Sequence, residues 1–271
     1  MKKIVQITAQ ELLDSRGNPT VEATVHLDHR VKASAMVPSG ASTGRHEALE
    51  LRDNDAQRYL GKGVLQAVRN IQETLAPALI GLDVTDQQKI DQRMIELDGT
   101  PDKSRLGANA LLAVSIACLR AGALVHRVPF YEYTAEVFGK PANTPFIMPI
   151  PLINVLNGGK HAIGSSDFQE YMIVPVGAPS FVEATRWASE IFHLLKPLIQ
   201  ERGWPTTVGD EGGFAPPVSS NEEPLQLILT AVERAGYTPG QDIVIALDPA
   251  ASEFYRDGKY CLEKDGLKLT S

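Results

Sequence analysis

The direction of one strand is set by the stretch Phe168-Gln169-Glu170-Tyr171-Met172-Ile173-Val174, in which polar residues precede the apolar ones. The segment before it, residues 150–156, is a near-continuous apolar run that ends in the polar sequence Asn157-Gly158-Gly159-Lys160-His161. Such apolar runs are typical of strands buried on both faces. In an all-parallel barrel the polar end of each strand would be its C-terminal end. The sequence therefore favours an antiparallel second strand, joined by a short hairpin, with both polar ends on one rim.

Two later segments also place an acid at the end of an apolar stretch. Residues 206–217 put the adjacent carboxylates Asp210 and Glu211 between glycines, and the apolar run at residues 243–247 ends in Asp248. Glycine lets the backbone approach a ligand closely, and an acid shielded from water has a raised pKa that suits a general acid. We therefore expect a functional loop at residues 206–217 and a buried strand at residues 243–247.

The candidate site residues share one position, the mouth of an apolar segment. Glu170, Glu211 and Asp248 lie there, His161 is on the same rim, and Ser42 belongs to a loop that is long enough to reach it. Each has an ordinary alternative when taken alone: a solvated turn for Glu211, an N-cap or turn for Asp248, a structural histidine for His161. Because Mg²⁺ prefers carboxylate oxygens, the combination favours a metal-assisted acid–base site.

The remainder of this half predicts two helices and a hairpin. Ser180 begins a capping box that opens a helix to about Gln200, and Pro197 is expected to kink that helix or end it early. Asn221 is expected to cap a second helix, which Gly236 ends. The last segment, residues 253–271, is charged and hairpin-like.

The first half of the chain predicts a small sheet followed by helices. Apolar and polar residues alternate around residues 5–9, 21–27 and 31–37, which indicates a three-stranded antiparallel meander with one wet face. Residues 38–47 are small and rich in hydroxyl groups, as in a mobile connector or a lid that closes over a ligand. Four helices are expected after this loop, the third of them rich in alanine and packed in the core.

These elements predict an α+β capping domain at residues 1–138, a linker rich in proline and glycine at residues 139–145, and a barrel domain at residues 146–271. About 250 residues are needed for a complete (β/α)₈ barrel, and only three barrel strands are recognised here. We therefore expect an incomplete barrel. Its last strand would have an unpaired edge, which favours aggregation.

Composition excludes several classes of function. The 271 residues carry a formal net charge of −7 without a basic cluster, so nothing indicates binding to nucleic acid or to an anionic membrane. The two cysteines, Cys118 and Cys261, lack the spacing of a zinc site and favour a reducing compartment. The most apolar helix, residues 110–125, contains Arg120 and is expected to be too short to cross a bilayer. We expect a cytoplasmic protein.

Taken together, the motifs identify a family. The chain strongly resembles enolase (phosphopyruvate hydratase) in runs spread over nearly its whole length, at residues 14–20, 37–53, 106–117, 154–161, 169–170, 209–216, 247–248 and 250–255. The resemblance implies a small α+β capping domain followed by a ββαα(βα)₆ barrel, whose second strand is antiparallel. It also implies a lyase of glycolysis that interconverts 2-phosphoglycerate and phosphoenolpyruvate with Mg²⁺, and a homodimer in the full-length family.

The resemblance also implies a role for each matching residue. Glu211 would protonate the leaving 3-hydroxyl and Glu170 would assist it by hydrogen bonding. His161, Gln169 and Glu170 would contact the substrate. Asp248 would bind the first Mg²⁺, and Ser42 the second.

Part of the family's machinery has no match in this sequence. The base lysine and two of the metal carboxylates come from later strands in the family, and Lys259, Lys264 and Lys268 match none of those motifs. We therefore expect the 271-residue chain alone to be inactive. The alternative interpretation is a non-catalytic binding or scaffold protein built from the front half of an enolase, for which a stable, soluble native form of about 29 kDa would argue. An unrelated Mg²⁺ enzyme on a small α/β domain is a third possibility.

Overall fold

The computed structural model describes residues 2–28, 31–40, 44, 46–141, 144–209 and 211–271. The chain divides into two compact units, one of which contains Met1–Gly40 and His46–Pro145 and the other Phe146–Ser271. Each unit has its own hydrophobic core.

The first unit begins with the predicted meander. Strands β1 (Ile4–Leu13), β2 (Pro19–Leu27) and β3 (Lys32–Val37) form an antiparallel sheet in the order β1-β2-β3. One face of β2 is buried, as alternation predicts. In β1 the alternation around residues 5–9 predicts that Val5 lies on the buried face. This is wrong, since Val5 is 49% exposed and Ile4 is buried instead. The reason is an irregularity in pairing between Ile4 and Gln6, which changes the face that each residue occupies.

The helices of this unit cover the buried face of the sheet or pack on the helices that do. They are α1 (Leu65–Asn70), a π-helical turn (Ile71–Leu75), α2 (Ala76–Leu79), α3 (Gln87–Asp98), α4 (Ala108–His126) and α5 (Phe130–Val137). Helix α4 packs on β2 and β3. Its alanines at 110, 113, 117 and 121 are fully buried at helical spacing, so small side chains allow the close packing expected from the sequence.

Helix α4 is longer than predicted. It has 19 residues and, within the described part of the chain, is the one helix that is long and apolar enough to cross a membrane. The expectation that it is too short was therefore wrong. However, 61% of its most apolar window is buried inside the protein, which is the pattern of a core helix packed on a sheet.

The second unit contains the strands that the opening stretch predicts. Strands β4 (Ile153–Asn157), β5 (Glu170–Val174) and β6 (Val244–Asp248) form one sheet in the order β4-β5-β6. Both pairings are antiparallel, so β5 runs against β4 and β6, and the predicted antiparallel second strand is confirmed. Two helices, α6 (Phe181–Glu201) and α7 (Glu223–Arg234), pack on each other and contribute to the core of this unit.

The sheet is open in the part of the chain that the structure describes. A barrel of this type has eight strands, and only β4, β5 and β6 are present as one sheet, so the predicted incomplete barrel is confirmed. The final segment forms a separate antiparallel sheet of β7 (Tyr255–Arg256), β8 (Lys259–Leu262) and β9 (Leu267–Leu269), one strand more than a hairpin.

Burial at the outer strands is lower than predicted. Residues 150–152 lie outside β4, and Ile150 and Leu152 are 51% and 63% exposed. Strand β6 is only partly buried, with Leu247 41% exposed and Asp248 exposed. Strand β6 has a paired neighbour on one side only, so its residues gain less burial than those of the central β5.

Two helix predictions differ from the structure. Pro197 does not end α6 early: the helix continues to Glu201, because Leu198 and Ile199 pack into the core beyond the proline and compensate for its missing backbone hydrogen bond. Asn221 does not cap α7, since its side chain binds two carboxylates elsewhere. Ser180 does cap α6 as predicted, by accepting a hydrogen bond from the Glu183 amide at 3.2 Å.

The core of the second unit gives a direct test of this packing. Leu195 in α6 is fully buried, so Leu195→Ala removes apolar contacts and leaves a cavity. We expect the free energy of unfolding to fall by about 2–5 kcal/mol. Val182 in the same helix is 74% exposed, so the control Val182→Ala should change stability by less than about 0.5 kcal/mol. Urea unfolding measures both, and equal losses would contradict the orientation of α6.

Candidate active site

One row of residues crosses the sheet of the second unit at its polar edge. Asn157 at the end of β4 lies opposite Glu170 at the start of β5, and Glu170 lies opposite Asp248 at the end of β6. Because directly opposite residues share a face, the three polar side chains project to the same side of the sheet. The antiparallel direction of β5 is what brings its first residue to the rim where β4 and β6 end.

His161 reaches the same rim from a short 3-10 turn, Gly159–His161, just after β4. Its Nδ1 lies 3.8 Å from Glu170 Oε1, an ion-pair distance that is longer than a hydrogen bond. The side chain is almost fully buried, and neither ring nitrogen has a hydrogen-bond partner among the described residues. Buried polar atoms without partners are rare and are found where a group has a catalytic or ligand-binding role.

The loop that carries Glu211 is bound along β4. The Phe214 amide donates to Val155 O at 2.9 Å, and the Asn157 amide donates to Phe214 O at 2.8 Å. A Cβ on Gly213 would lie 2.6 Å from Asn157 Oδ1 and 2.9 Å from the Leu156 backbone nitrogen. The close approach that glycine was expected to allow is therefore seen at Gly213. Asp210 lies outside the described residues.

Three of the predicted site residues converge. The ligand atoms of His161, Glu170 and Glu211 all lie within 4.8 Å of one another. Asp248 lies beside this group, directly opposite Glu170 in the sheet, and its Oδ1 accepts a hydrogen bond from the Ala250 amide at 3.0 Å. We call these four residues the acid cluster.

The other two predicted residues have different outcomes. Gln169 is buried next to Glu170, and its carbonyl accepts hydrogen bonds from the Gly158 amide at 3.0 Å and from Asn157 Nδ2 at 3.4 Å. Ser42, the predicted lid ligand, lies outside the described residues.

The electrostatics of the acid cluster centre on Glu170. Burial is the main cause that raises the pKa of its carboxyl, and the negative charges of Asp248 and Glu211 raise the pKa further. His161 acts in the opposite direction and lowers it. Three acids around one histidine therefore give a site in which one carboxyl holds a proton more tightly than usual.

Sequence reasoning missed Asn157. Its side chain is buried. Its backbone amide donates a hydrogen bond to Phe214 in the Glu211 loop, and its side-chain Nδ2 donates one to the carbonyl of Gln169, the residue before Glu170. An asparagine that ends an otherwise apolar strand was a signal for this role, since a buried amide needs polar partners.

The acid cluster suits a divalent cation. Asp248, on the rim beside Glu170, supplies carboxylate oxygens, which hard cations such as Mg²⁺ prefer. The mutual repulsion that raises the pKa of Glu170 is also the repulsion that a bound cation would offset. The donor chemistry of these residues therefore fits Mg²⁺.

Two protein-family models match the chain. Residues 4–134 match the model of the enolase N-terminal domain, and residues 145–270 match that of the enolase C-terminal TIM barrel domain. The two matches together cover nearly the whole chain, and the first includes the meander while the second includes every described residue of the acid cluster. The chain belongs to the enolase family of lyases.

Proposed function

We propose that the acid cluster is the acid side of a site for the reversible, Mg²⁺-dependent dehydration of 2-phosphoglycerate to phosphoenolpyruvate. The observation that carries this proposal is the convergence of His161, Glu170 and Glu211 at the rim next to Asp248. Membership of the enolase family supports it. We also propose glycolysis as the setting, a cytoplasmic location and, by family resemblance, a homodimer.

In this proposal Glu211 is the general acid. Its carboxyl lies on an exposed loop at the mouth of the site, where a substrate can reach it. Donating a proton to the 3-hydroxyl turns a poor leaving group into water. Glu170, with its raised pKa, keeps a proton available for a hydrogen bond within the cluster, and this hydrogen bond is its assisting role in the proposal.

The remaining residues bind. His161 and Gln169 border Glu170 and would contact the substrate, and Asp248 and Ser42 would hold the two Mg²⁺ ions. When bound, Mg²⁺ supplies positive charge beside the substrate carboxylate, which makes the proton on the adjacent carbon easier to remove. The protein's contribution is to hold these oxygens and the histidine at fixed positions on the rim.

A second catalytic group, the base that removes this proton, has no candidate among the lysines near the site. Lys160 Nζ pairs with Glu253 at 2.6 Å, and Lys264 Nζ donates to Gly164 O and Val218 O at 2.8 Å. Lys259 and Lys268 lie in the small sheet of β7–β9. We therefore propose that the 271-residue polypeptide alone does not turn over.

A specific observation favours the alternative, a non-catalytic binding protein. Residues 146–152 include several exposed apolar side chains, among which Ile147 is 88% and Met148 is 67% exposed. Clusters of exposed apolar residues often mark interaction surfaces. Substrate binding at the acid cluster distinguishes the two functions.

Substrate binding is the first prediction for this function. With Mg²⁺ present, 2-phosphoglycerate should shift the NMR signals of the His161 ring, because the ring lies in the acid cluster. His193 is exposed on α6 and serves as the internal control, whose signals should not move. An unshifted His161 at saturating ligand would contradict the proposed substrate and support the binding-protein alternative.

The same sample tests turnover. Phosphorus NMR should detect no phosphoenolpyruvate above about one-thousandth of the rate of an active enolase, since loss of a general base alone costs about 10²–10⁴-fold. Faster conversion by purified Met1–Ser271 would show that a base is present after all.

The raised pKa of Glu170 predicts a pH dependence of stability. A carboxyl that binds its proton more tightly in the folded chain stabilises the fold at low pH, and this stabilisation is lost as the pH rises through the raised pKa. Glu170→Gln has no carboxyl to ionise, so its free energy of unfolding does not fall in this way. Relative to wild type, the variant should therefore gain stability as the pH rises above the ordinary glutamate pKa of about 4.3 and through the raised pKa of Glu170.

Urea unfolding of the metal-free protein at several pH values measures this difference. Glu96→Gln is the control, because Glu96 is an exposed side chain on α3 of the other unit. A stability difference between Glu170→Gln and wild type that stays constant, or falls with rising pH, would show that the carboxyl is not held in its protonated form.

A further inference from the structure

A buried asparagine outside the acid cluster uses every polar group that it has. Asn221 precedes α7 and is 5% exposed. Its Oδ1 accepts from the Asp167 amide at 2.8 Å, and its Nδ2 donates to Asp167 Oδ2 at 2.8 Å and to Asp265 Oδ2 at 2.7 Å. Its backbone amide donates to Asp265 Oδ1 at 3.0 Å, and its carbonyl accepts from the Tyr171 hydroxyl at 3.1 Å.

These bonds lie on both sides of Glu170. Asp167 is three residues before Glu170 and Tyr171 is the residue after it. Tyr171 is fully buried, and burial raises the pKa of its hydroxyl to about 12, so the hydroxyl remains a hydrogen-bond donor. A single residue therefore fixes the chain on both sides of Glu170, a member of the acid cluster.

The same segment also holds the turn that presents His161. Ser166 O, next to Asp167, accepts from the Gly159 amide at 2.8 Å, and Gln169 O accepts from the Gly158 amide at 3.0 Å. A Cβ on Gly158 would lie 2.4 Å from Phe168 O, so the two segments are in close contact. Displacing residues 166–169 would displace the turn Gly159–His161 with them.

The turn between β8 and β9 provides the other end of these contacts. The Lys264 amide donates to Asp167 Oδ2 at 3.0 Å, and Lys264 Nζ donates to carbonyls on both neighbouring loops, at Gly164 and Val218. We call Asp167, Asn221, Lys264 and Asp265 the Asn221 latch. The latch joins the loop before β5, the loop before α7 and the β8–β9 turn.

The chemistry of the latch requires an amide. Asp167 and Asp265 both direct carboxylate oxygens at Asn221 Nδ2, and this donor relieves their repulsion. The Asn221 side chain must also accept a hydrogen bond from the Asp167 backbone amide, so the residue needs a donor and an acceptor on one short side chain. An aspartate of the same shape has no donor and adds a third negative charge.

We propose that Asn221 is a positioning residue for the acid cluster, which holds Glu170 and His161 in place through the latch. This inference rests on the proposed function for its catalytic meaning, whereas the latch itself is tested without substrate. Asn221 touches none of the reacting groups, so its effect passes through the segment 165–171.

Hydrogen exchange of the metal-free protein tests the latch. Asn221→Asp should speed amide exchange in residues 159–171 by roughly tenfold or more, because both donations to carboxylates are lost and a third negative charge is added. Exchange in α6 should stay unchanged. The control is Glu263→Gln in the β8–β9 turn, where the largely exposed Glu263 pairs with Arg256 and is not part of the latch.

A charge-conserving swap separates positioning from simple destabilisation. In the double variant Asn221→Asp with Asp265→Asn, the latch keeps the net charge of the wild type, and an amide at residue 265 again faces a carboxylate at residue 221. We expect the swap to restore slow exchange in residues 159–171 at least in part, and to restore the response of the His161 ring to 2-phosphoglycerate that Asn221→Asp loses.

Unchanged exchange at residues 159–171 in Asn221→Asp would overturn the inference, as would faster exchange spread evenly over the unit. Failure of the double variant to recover either measurement would also overturn it. If the wild-type ring shows no response to 2-phosphoglycerate, the proposed function fails, and the exchange experiment alone then decides whether the latch holds this segment.

Discussion

The arrangement of the second unit depends on one constraint, the direction of β5. Because β5 runs against both of its neighbours, its first residue stands in a row with the last residues of β4 and β6. A parallel β5 would carry Glu170 to the opposite edge, about 13–17 Å away for a strand of five residues. The acid cluster exists because the chain turns back through the loop of residues 158–169 and not through a crossover helix.

This geometry creates an electrostatic cost that the protein retains. Glu170 is partly buried between two other acids, and each of these features raises its pKa. A fold selected for stability alone would place a neutral residue there, since burial of like charges is unfavourable. Hydrogen bonds among residues 157–169 hold the surrounding loops in place and offset part of this cost.

The sequence predicted most of what depends on local pattern. The direction of β5 followed from the position of Gln169 and Glu170 at the start of an apolar run, and the meander followed from alternation. Val5 and Leu247 were misplaced because their burial depends on a pairing irregularity and on an unpaired strand edge, neither of which appears in a hydrophobic pattern. The grouping of His161, Glu170 and Glu211 was predictable from strand ends, whereas the role of Asn157 required the actual contacts.

Asn221 shows why a correct local rule can give the wrong structure. An asparagine before an apolar helix is a favourable N-cap, and such a cap contributes about 0.5–2 kcal/mol. The latch offers the same side chain two donations to carboxylates, and hydrogen bonds to charged groups contribute about 1.5–3 kcal/mol each. The long-range contacts therefore outweigh the local one. Ser220 then supplies its hydroxyl to the Glu223 amide at 3.2 Å, so the start of α7 keeps a side-chain acceptor although the predicted residue is engaged elsewhere.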